Sequence, residues 1–404
     1  MRAVDRFNLT LVPLADDDRP SAGHDPLGIG LYDGSRFVLT TSTSLGWWEK
    51  AKLLWRYGYA APTRTQAAVD NLVEAFGQMY SAGWIAENGP WETVNGLSQR
   101  LGLGEPTAVT GEEWFRDEVH VKGRFVDEMV EAVVRVNVCH LSQSHLTDVQ
   151  LTDGPFALPL QYAQDIVAAH GLAAAVSLAT TGASSVTGGN WRIFERFLAA
   201  SGADVRPNTT VRSIRGFEDA HSGKPKYAVR VTDGQGRLLG DDVYDAIFFA
   251  SPFHQSGIEL LGMLDSAAEA IPCVLIALHP AHALPLTCLH FLRRRQPYIH
   301  LHTTLISTTS PSPNPAYFHL DTSIAPPSAI LTTGAAFRAG EAVEPDFQSI
   351  TYHGEVSPGA REWVVKIFSK EERSDAWLES VFGEGRVRWV RRKVWQSYPV
   401  CVRA

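Results

Sequence analysis

The chain has 404 residues, 45% hydrophobic and 20% charged, proportions that exclude wholesale disorder and fibrous architectures. With 36 Lys+Arg against 44 Asp+Glu the net charge is −8, which disfavours a general binder of nucleic-acid phosphates. Four cysteines cannot build a disulfide scaffold, and at roughly 150 residues per domain the length predicts two or three units with a large core.

The first residues, Met-Arg-Ala-Val-Asp-Arg, carry no apolar segment, so no signal peptide is expected at this end. Residues 10–30 read as loop, with Pro13, Pro20 and Pro26. Leu31–Thr40 holds Asp33-Gly34 between apolar residues and predicts a hairpin. Helical spacing follows: Trp47, Ala51, Leu54 and Trp55; then Val69, Leu72, Val73, Phe76, Met79 and Tyr80. Asn88-Gly89-Pro90 breaks the run, and Phe125, Met129, Val133 and Val136 predict another helix.

Gly188-Gly189-Asn190 opens a further helix with Ile193, Phe194, Phe197 and Leu198, closed by Gly202. Strands are predicted at Ala203–Arg206, Val211–Ile214 and Tyr227–Val231, then a turn at Asp233–Gly236 and a buried strand at Val243–Ala250. Later strands fall at Ile299–Ile306, Ala329–Thr333 and Trp363–Phe368. The order is α-rich, then βαβ-like, then mixed β, which predicts an α/β (mixed α+β) enzyme fold. The least polar stretch, Cys273–Leu292, contains two prolines and three histidines, so no membrane-spanning helix is expected and the chain reads as soluble.

His279, His282 and His290 with Cys273 and Cys288 match no common zinc spacing, so no metal site is expected. Gly28-Ile29-Gly30 is followed by Asp33 where a dinucleotide fingerprint needs glycine. No serine sits in a G-x-S-x-G elbow. Asn8-Leu9-Thr10 and Asn208-Thr209-Thr210 are glycosylation sequons. The block Gly188–Ile214 is the most informative. Its glycine pair lets backbone approach a partner closely, and its helix feeds a strand whose end can touch a flat ligand. The same block also reads as an ordinary helix–strand connection.

Several segments in order resemble the prenylcysteine oxidase (prenylcysteine lyase) family in its fungal form. They are Gly30–Gly34, Leu53–Gly58 (LLWRYG), Val134–Asn137 joined to Tyr162-Ala163-Gln164, and His170–Ala179. Ser185–Phe194 (SVTGGNWRIF), Ser201–Thr210, Ala250-Ser251-Pro252, Tyr298–Leu305, Trp363–Ser369 and Trp395–Pro399 continue the series. The resemblance implies a two-domain fold like that of flavin amine oxidases and phytoene desaturases. It also implies an FAD-dependent thioether oxidase that uses O2 to cleave prenylcysteine into cysteine, a prenyl aldehyde and hydrogen peroxide. By the same resemblance Gly188, Gly189 and Asn190 lie near the flavin, Val211 meets the adenine through its backbone, and Ala250, Ser251 and Pro252 pass near the FAD. No catalytic base carries over. A long apolar substrate needs an apolar tunnel, for which Trp47, Trp48, Trp55, Phe76 and Tyr80 are candidates; plain core is the competing reading. The family's lysosomal or vacuolar location is a further expectation.

Against the family pattern, Met1 aligns downstream of the strand–GxGxxG–helix unit, and Val400–Ala404 stand where a flavin-binding segment is expected. The expected fold therefore lacks its N-terminal Rossmann βαβ unit and its C-terminal FAD segment, which weakens FAD binding. Residues 138–161 and about 273–296 interrupt the pattern. Each insert ends in Gln, and Cys139, Cys273, Cys288 and Cys401 all lie in these inserts or the tail, the signature expected of retained introns. Neither insert is expected to form packed secondary structure. The resulting division is a 1–41 hairpin region, a 42–137 helical substrate side, the 138–161 insert, a 162–399 lyase-like α/β region containing the 273–296 insert, and a 400–404 tail. Two other functions stay open: a non-catalytic remnant without flavin, and an oxidase of another prenylated or terpenoid substrate.

Overall fold

Apolar runs such as AILT and WVVKIF carry too little polar alternation for a half-exposed strand, and such runs belong in a sheet covered on both faces. The computed structural model shows that sheet. It describes residues 2–13, 28–41, 47–91, 93–121, 123–135, 165–179, 184–250, 256–261, 276–278, 298–357 and 359–399. The chain divides into two units, one of Met1–Glu195 with Tyr298–Ala404 and one of Arg196–Pro297.

The fifteen strands among the described residues are β1 (Leu11–Pro13), β2 (Ile29–Tyr32), β3 (Phe37–Thr40), β4 (Ser184–Val186), β5 (Thr209–Glu218), β6 (Pro225–Asp233), β7 (Leu238–Tyr244), β8 (Ile247–Phe249), β9 (Glu259–Leu261), β10 (Ile276–Leu278), β11 (Tyr298–Thr308), β12 (Ala329–Thr332), β13 (Ser349–Glu355), β14 (Trp363–Ser369) and β15 (Val387–Pro399). In the larger unit seven of them form a sheet in the order β15-β11-β14-β13-β12-β2-β3, antiparallel except for the parallel pair β12–β2.

Period-two alternation sends successive side chains to opposite faces. Ile306, Ile330, Ile350, Val365 and Ile367 point to one face and pack with Phe318, Phe347 and the helix Asp375–Phe382. Leu31, Leu301, Leu331 and Phe368 point to the other and pack with Ala132 and Met129. A third cluster joins Val69 and Leu72 of the helix Ala60–Gly77 to Trp114, Phe115, Val126, Val130, Val134 and the helix Gly171–Leu178. The hairpin β2–β3 and the helices Trp47–Tyr57 and Ala60–Gly77 form where the sequence predicts them. The 125–136 prediction is met by π-helical Phe125–Val130 followed by the α-helix Glu131–Arg135.

The smaller unit is a four-stranded sheet, β7-β6-β5-β9, over a core of Ile214, Tyr227, Val229, Val231 and Phe249. Two strand predictions here are corrected. Ala203–Arg206 is irregular and exposed: Arg206 pairs with Asp204 and Asp242 through its side chain, and among the described residues no strand lies alongside. Val243–Ala250 is not one buried strand. A bend at Asp245, whose carboxylate takes Lys226, splits it into the end of β7 and β8, and Phe248 is 62% exposed. Within the second predicted insert, Ile276–Leu278 does form a strand, β10, paired antiparallel with β8. The rest of that insert, all of 138–161, the tail and the four cysteines lie outside the described residues.

Candidate functional site

Within the larger unit, the hairpin loop, the end of one helix and the exit of β12 surround a cavity of about 680 Å³. The loop contributes Asp33 and Arg36, and β3 adds Phe37 and Val38. Arg56 comes from the last turn of the helix Trp47–Tyr57, and Arg124, Asp127 and Glu128 from the start of the π-helical stretch. Thr333, Ala335, Ala336, Ala339 and Glu341 close the other side.

The loop is rigid for a local reason. The Asp33 carboxylate accepts the amide N–H groups of Ser35 and Arg36 at 2.8 and 2.9 Å and the Ser35 hydroxyl at 2.8 Å. Glu128 is held from the opposite direction. Arg56 donates to it through two nitrogens, both at 2.7 Å, and the Tyr57 hydroxyl donates at 2.8 Å. This bond to Glu128 raises the Arg56 pKa, and burial followed by the same carboxylate raises that of Tyr57. Asp127 pairs with Arg116 at 2.5 Å, yet its pKa lies above the usual carboxylate value, because burial outweighs the arginine. Two adjacent carboxylates reach one cavity from a π-helical turn, a local widening that recurs at functional sites.

A buried network anchors the wall behind. Glu131, with no exposed side-chain surface, accepts Arg338 Nη2 at 2.7 Å and the Gly334 amide N–H at 3.0 Å. Arg135 bonds Asp165 alongside. These bonds tie the helical segment to the chain leaving β12.

The residues singled out from sequence fall elsewhere. Gly188, Gly189 and Asn190 share one turn between β4 and the helix Trp191–Ser201. Both glycines have positive φ, +79° and +109°, a region costly for side-chain-bearing residues. Asn190 Oδ1 accepts the Val186 amide at 2.8 Å, and the Gly188 carbonyl accepts the Trp191 indole N–H at 2.9 Å. Val211 lies on β5 in the smaller unit, beside a bulge, and packs against the cluster containing Phe249, the neighbour of exposed Ala250. Ser251 and Pro252 lie outside the described residues. The five aromatics predicted for a tunnel or core are exposed instead: Trp47 by 77% and Trp55 by 91%, with Trp48, Phe76 and Tyr80 also exposed. Sequence reading missed the cavity. Arg56 and Tyr57 lie inside the LLWRYG segment without an assigned role, and nothing local marks Glu128, about 70 positions away, as their partner.

A family model described as prenylcysteine lyase matches residues 40–147, 156–284 and 285–402. The chain belongs to the prenylcysteine lyase family. The two breaks in the match to the prenylcysteine lyase model, at 148–155 and between 284 and 285, fall inside the two segments predicted as inserts. No curated protein matches the chain. Among solved structures, a triple mutant of putrescine oxidase from a redesign of cofactor binding is similar at 12% identity and a TM-score of 0.44, covering 97% of this chain and 70% of that one. Wild-type putrescine oxidase bound to putrescine is similar at 12% identity and a TM-score of 0.39, over 94% and 63% of the two chains. Among the described residues, no helix of this prenylcysteine lyase family member is long and apolar enough to cross a membrane.

Proposed function

We propose that this protein is an FAD-dependent thioether oxidase that cleaves prenylcysteine to cysteine, a prenyl aldehyde and hydrogen peroxide. The observation that carries this reading is the family match, which runs from residue 40 to residue 402 with one short gap. Bound flavin would supply hydride abstraction from the prenyl carbon next to sulfur, with O2 as the final acceptor; water then adds to that carbon, and the hemithioacetal collapses with loss of the cysteine thiol to leave the aldehyde.

The family resemblance assigns several of the chain's own residues to the flavin ring system. Gly188 and Gly189 form a positive-φ turn whose open side is packed by the Trp191 indole and the Arg192 guanidinium, so a flat group would reach the backbone there only as those side chains move. The Asn190 side chain commits its oxygen to Val186 and keeps its amide N–H groups as donors. β9 pairs only with Ser213–Arg215, so among the described residues the edge of β5 at Val211 carries no strand and its backbone is open to an adenine edge. By the same resemblance Ala250, Ser251 and Pro252 are assigned to the FAD, the last two lying outside the described residues. The Glu128 clamp holds Arg56 and Tyr57 in one arrangement at the cavity wall.

The test is to incubate the purified chain with FAD and S-farnesylcysteine and to measure peroxide, free thiol and aldehyde together. Equal amounts of the three products, with a flavin absorbance band that co-purifies, are expected. A colourless protein without turnover supports the non-catalytic reading, and turnover only with other prenylated compounds supports the alternative oxidase.

A further inference from the structure

The cavity of the larger unit holds seven charged groups, and three of them, Arg56, Glu128 and Asp127, are already paired with opposite charges. Glu128 is paired with Arg56 and Tyr57 and Asp127 with Arg116, while Asp33 commits one oxygen, Oδ1, to its own turn. The side chains of Arg124 and Glu341 make no hydrogen bond or ion pair among the described residues, though the Glu341 amide N–H bonds the Ala336 carbonyl. Arg36, mostly exposed, makes only a 3.7 Å approach to Asp33. Two cations, Arg124 and Arg36, and the anion Glu341 thus face a shared space from different segments of the chain. Phe37, Val38, Ala335, Ala336 and Ala339 supply an apolar lining beside them.

A ligand that complements this set carries a carboxylate, an ammonium and an apolar chain on one small skeleton. An arginine fork matches a carboxylate, and a glutamate matches an ammonium. We infer that this cavity seats the zwitterionic amino-acid end of an S-alkyl cysteine, its carboxylate on Arg124 with Arg36, its ammonium on Glu341, and its thioether along Phe37 and the alanines. This inference rests on the proposed reading of the substrate as a prenylcysteine, and it adds the residues that recognise the cysteine half. The volume of about 680 Å³ also lies in the range of ordinary ligand sites.

The test is equilibrium binding of S-farnesyl-L-cysteine, its methyl ester and its N-acetyl derivative to the purified chain, by calorimetry. Arg124→Gln is expected to weaken the free acid about tenfold and leave the ester unchanged, since only the acid presents a carboxylate. Glu341→Gln is expected to weaken the free amine by a similar factor and leave the N-acetyl compound unchanged. Both side chains are exposed, so circular dichroism spectra of the variants should match the parent chain. Variants that preserve the parent's acid-to-ester and amine-to-acetyl ratios overturn the inference, and so does the absence of binding by all three ligands. Charge-selective binding without peroxide release defeats only the oxidase reading. Peroxide release with unchanged selectivity in the variants defeats only the assignment of this cavity.

Discussion

Gly334 shows how a single hydrogen atom in place of a methyl group is required by packing. A Cβ there would lie 2.7 Å from an Arg135 nitrogen and 2.9 Å from both Arg338 and the Glu131 carboxylate. Gly334→Ala is therefore expected to destabilise the fold by about 1–3 kcal/mol, read from the midpoint of urea unfolding. Removing the acid is worse. Glu131→Ala leaves the Arg338 guanidinium and the Gly334 amide without their partner, and a loss of about 3–5 kcal/mol is expected. A variant of Glu131 with unchanged stability would show that the network is ornamental.

His170 couples the same region to pH. Its Nδ1 accepts the Ala173 amide N–H at 3.1 Å and caps the helix Gly171–Leu178, a role open only to the neutral ring. Burial holds its pKa below the usual histidine value. The unfolded chain thus takes up this proton more readily than the folded one. The cap's contribution is complete above about pH 6.5 and is lost as pH falls through the lowered folded value. His170→Asn retains a capping oxygen and should flatten this part of the thermal stability profile between about pH 7.5 and about pH 5. An unchanged acid slope in the variant would assign the loss to other groups.

At the scale of elements, helical periodicity was legible but the choice of buried face was not. Trp47, Leu54 and Trp55 recur at helical spacing, and the helix forms, yet these residues lie on its outer side while Arg56 and Tyr57 turn inward to Glu128. Periodicity reports that a helix has two faces; it does not say which one meets the core. Stability should follow burial rather than side-chain size. Trp55→Ser is expected to change stability by less than about 0.5 kcal/mol, whereas Phe115→Ala, at a fully buried position, is expected to cost about 3–5 kcal/mol. Thermal unfolding of the pair decides this, and equal losses would mean that the tryptophan is covered.

Local signals worked best where the partner is close in sequence. Asp33-Gly34 marked the hairpin because the aspartate bonds its own turn, and Gly188 to Gly202 bracketed the helix Trp191–Ser201 because glycine alone readily takes the backbone at both ends. Val243–Ala250 misled because an apolar run cannot reveal that Asp245 will be drawn to Lys226 on a neighbouring strand.

For the whole molecule, two units each carry their own core. Ile214 sits in the core of β5 and β6, while Ile306, Ile350 and Ile367 serve the seven-stranded sheet. Ile214→Ala is expected to raise hydrogen exchange at the β6 amides while the β14 amides stay protected. Parallel loss of protection in both sheets would show that the two cores unfold as one.

From composition and motif order alone follow the mixed α/β class, the three longest helices, the hairpin and the strands β5, β6, β11, β12 and β14, and membership of the prenylcysteine lyase family, since these depend on local propensity and on the linear succession of segments. The cavity, the Glu128 clamp and the Glu131–Arg338 tie belong to tertiary structure. Each joins residues some 70 to 200 positions apart, and the free energy of a charge pair depends on distance and burial, which exist only once the chain has folded.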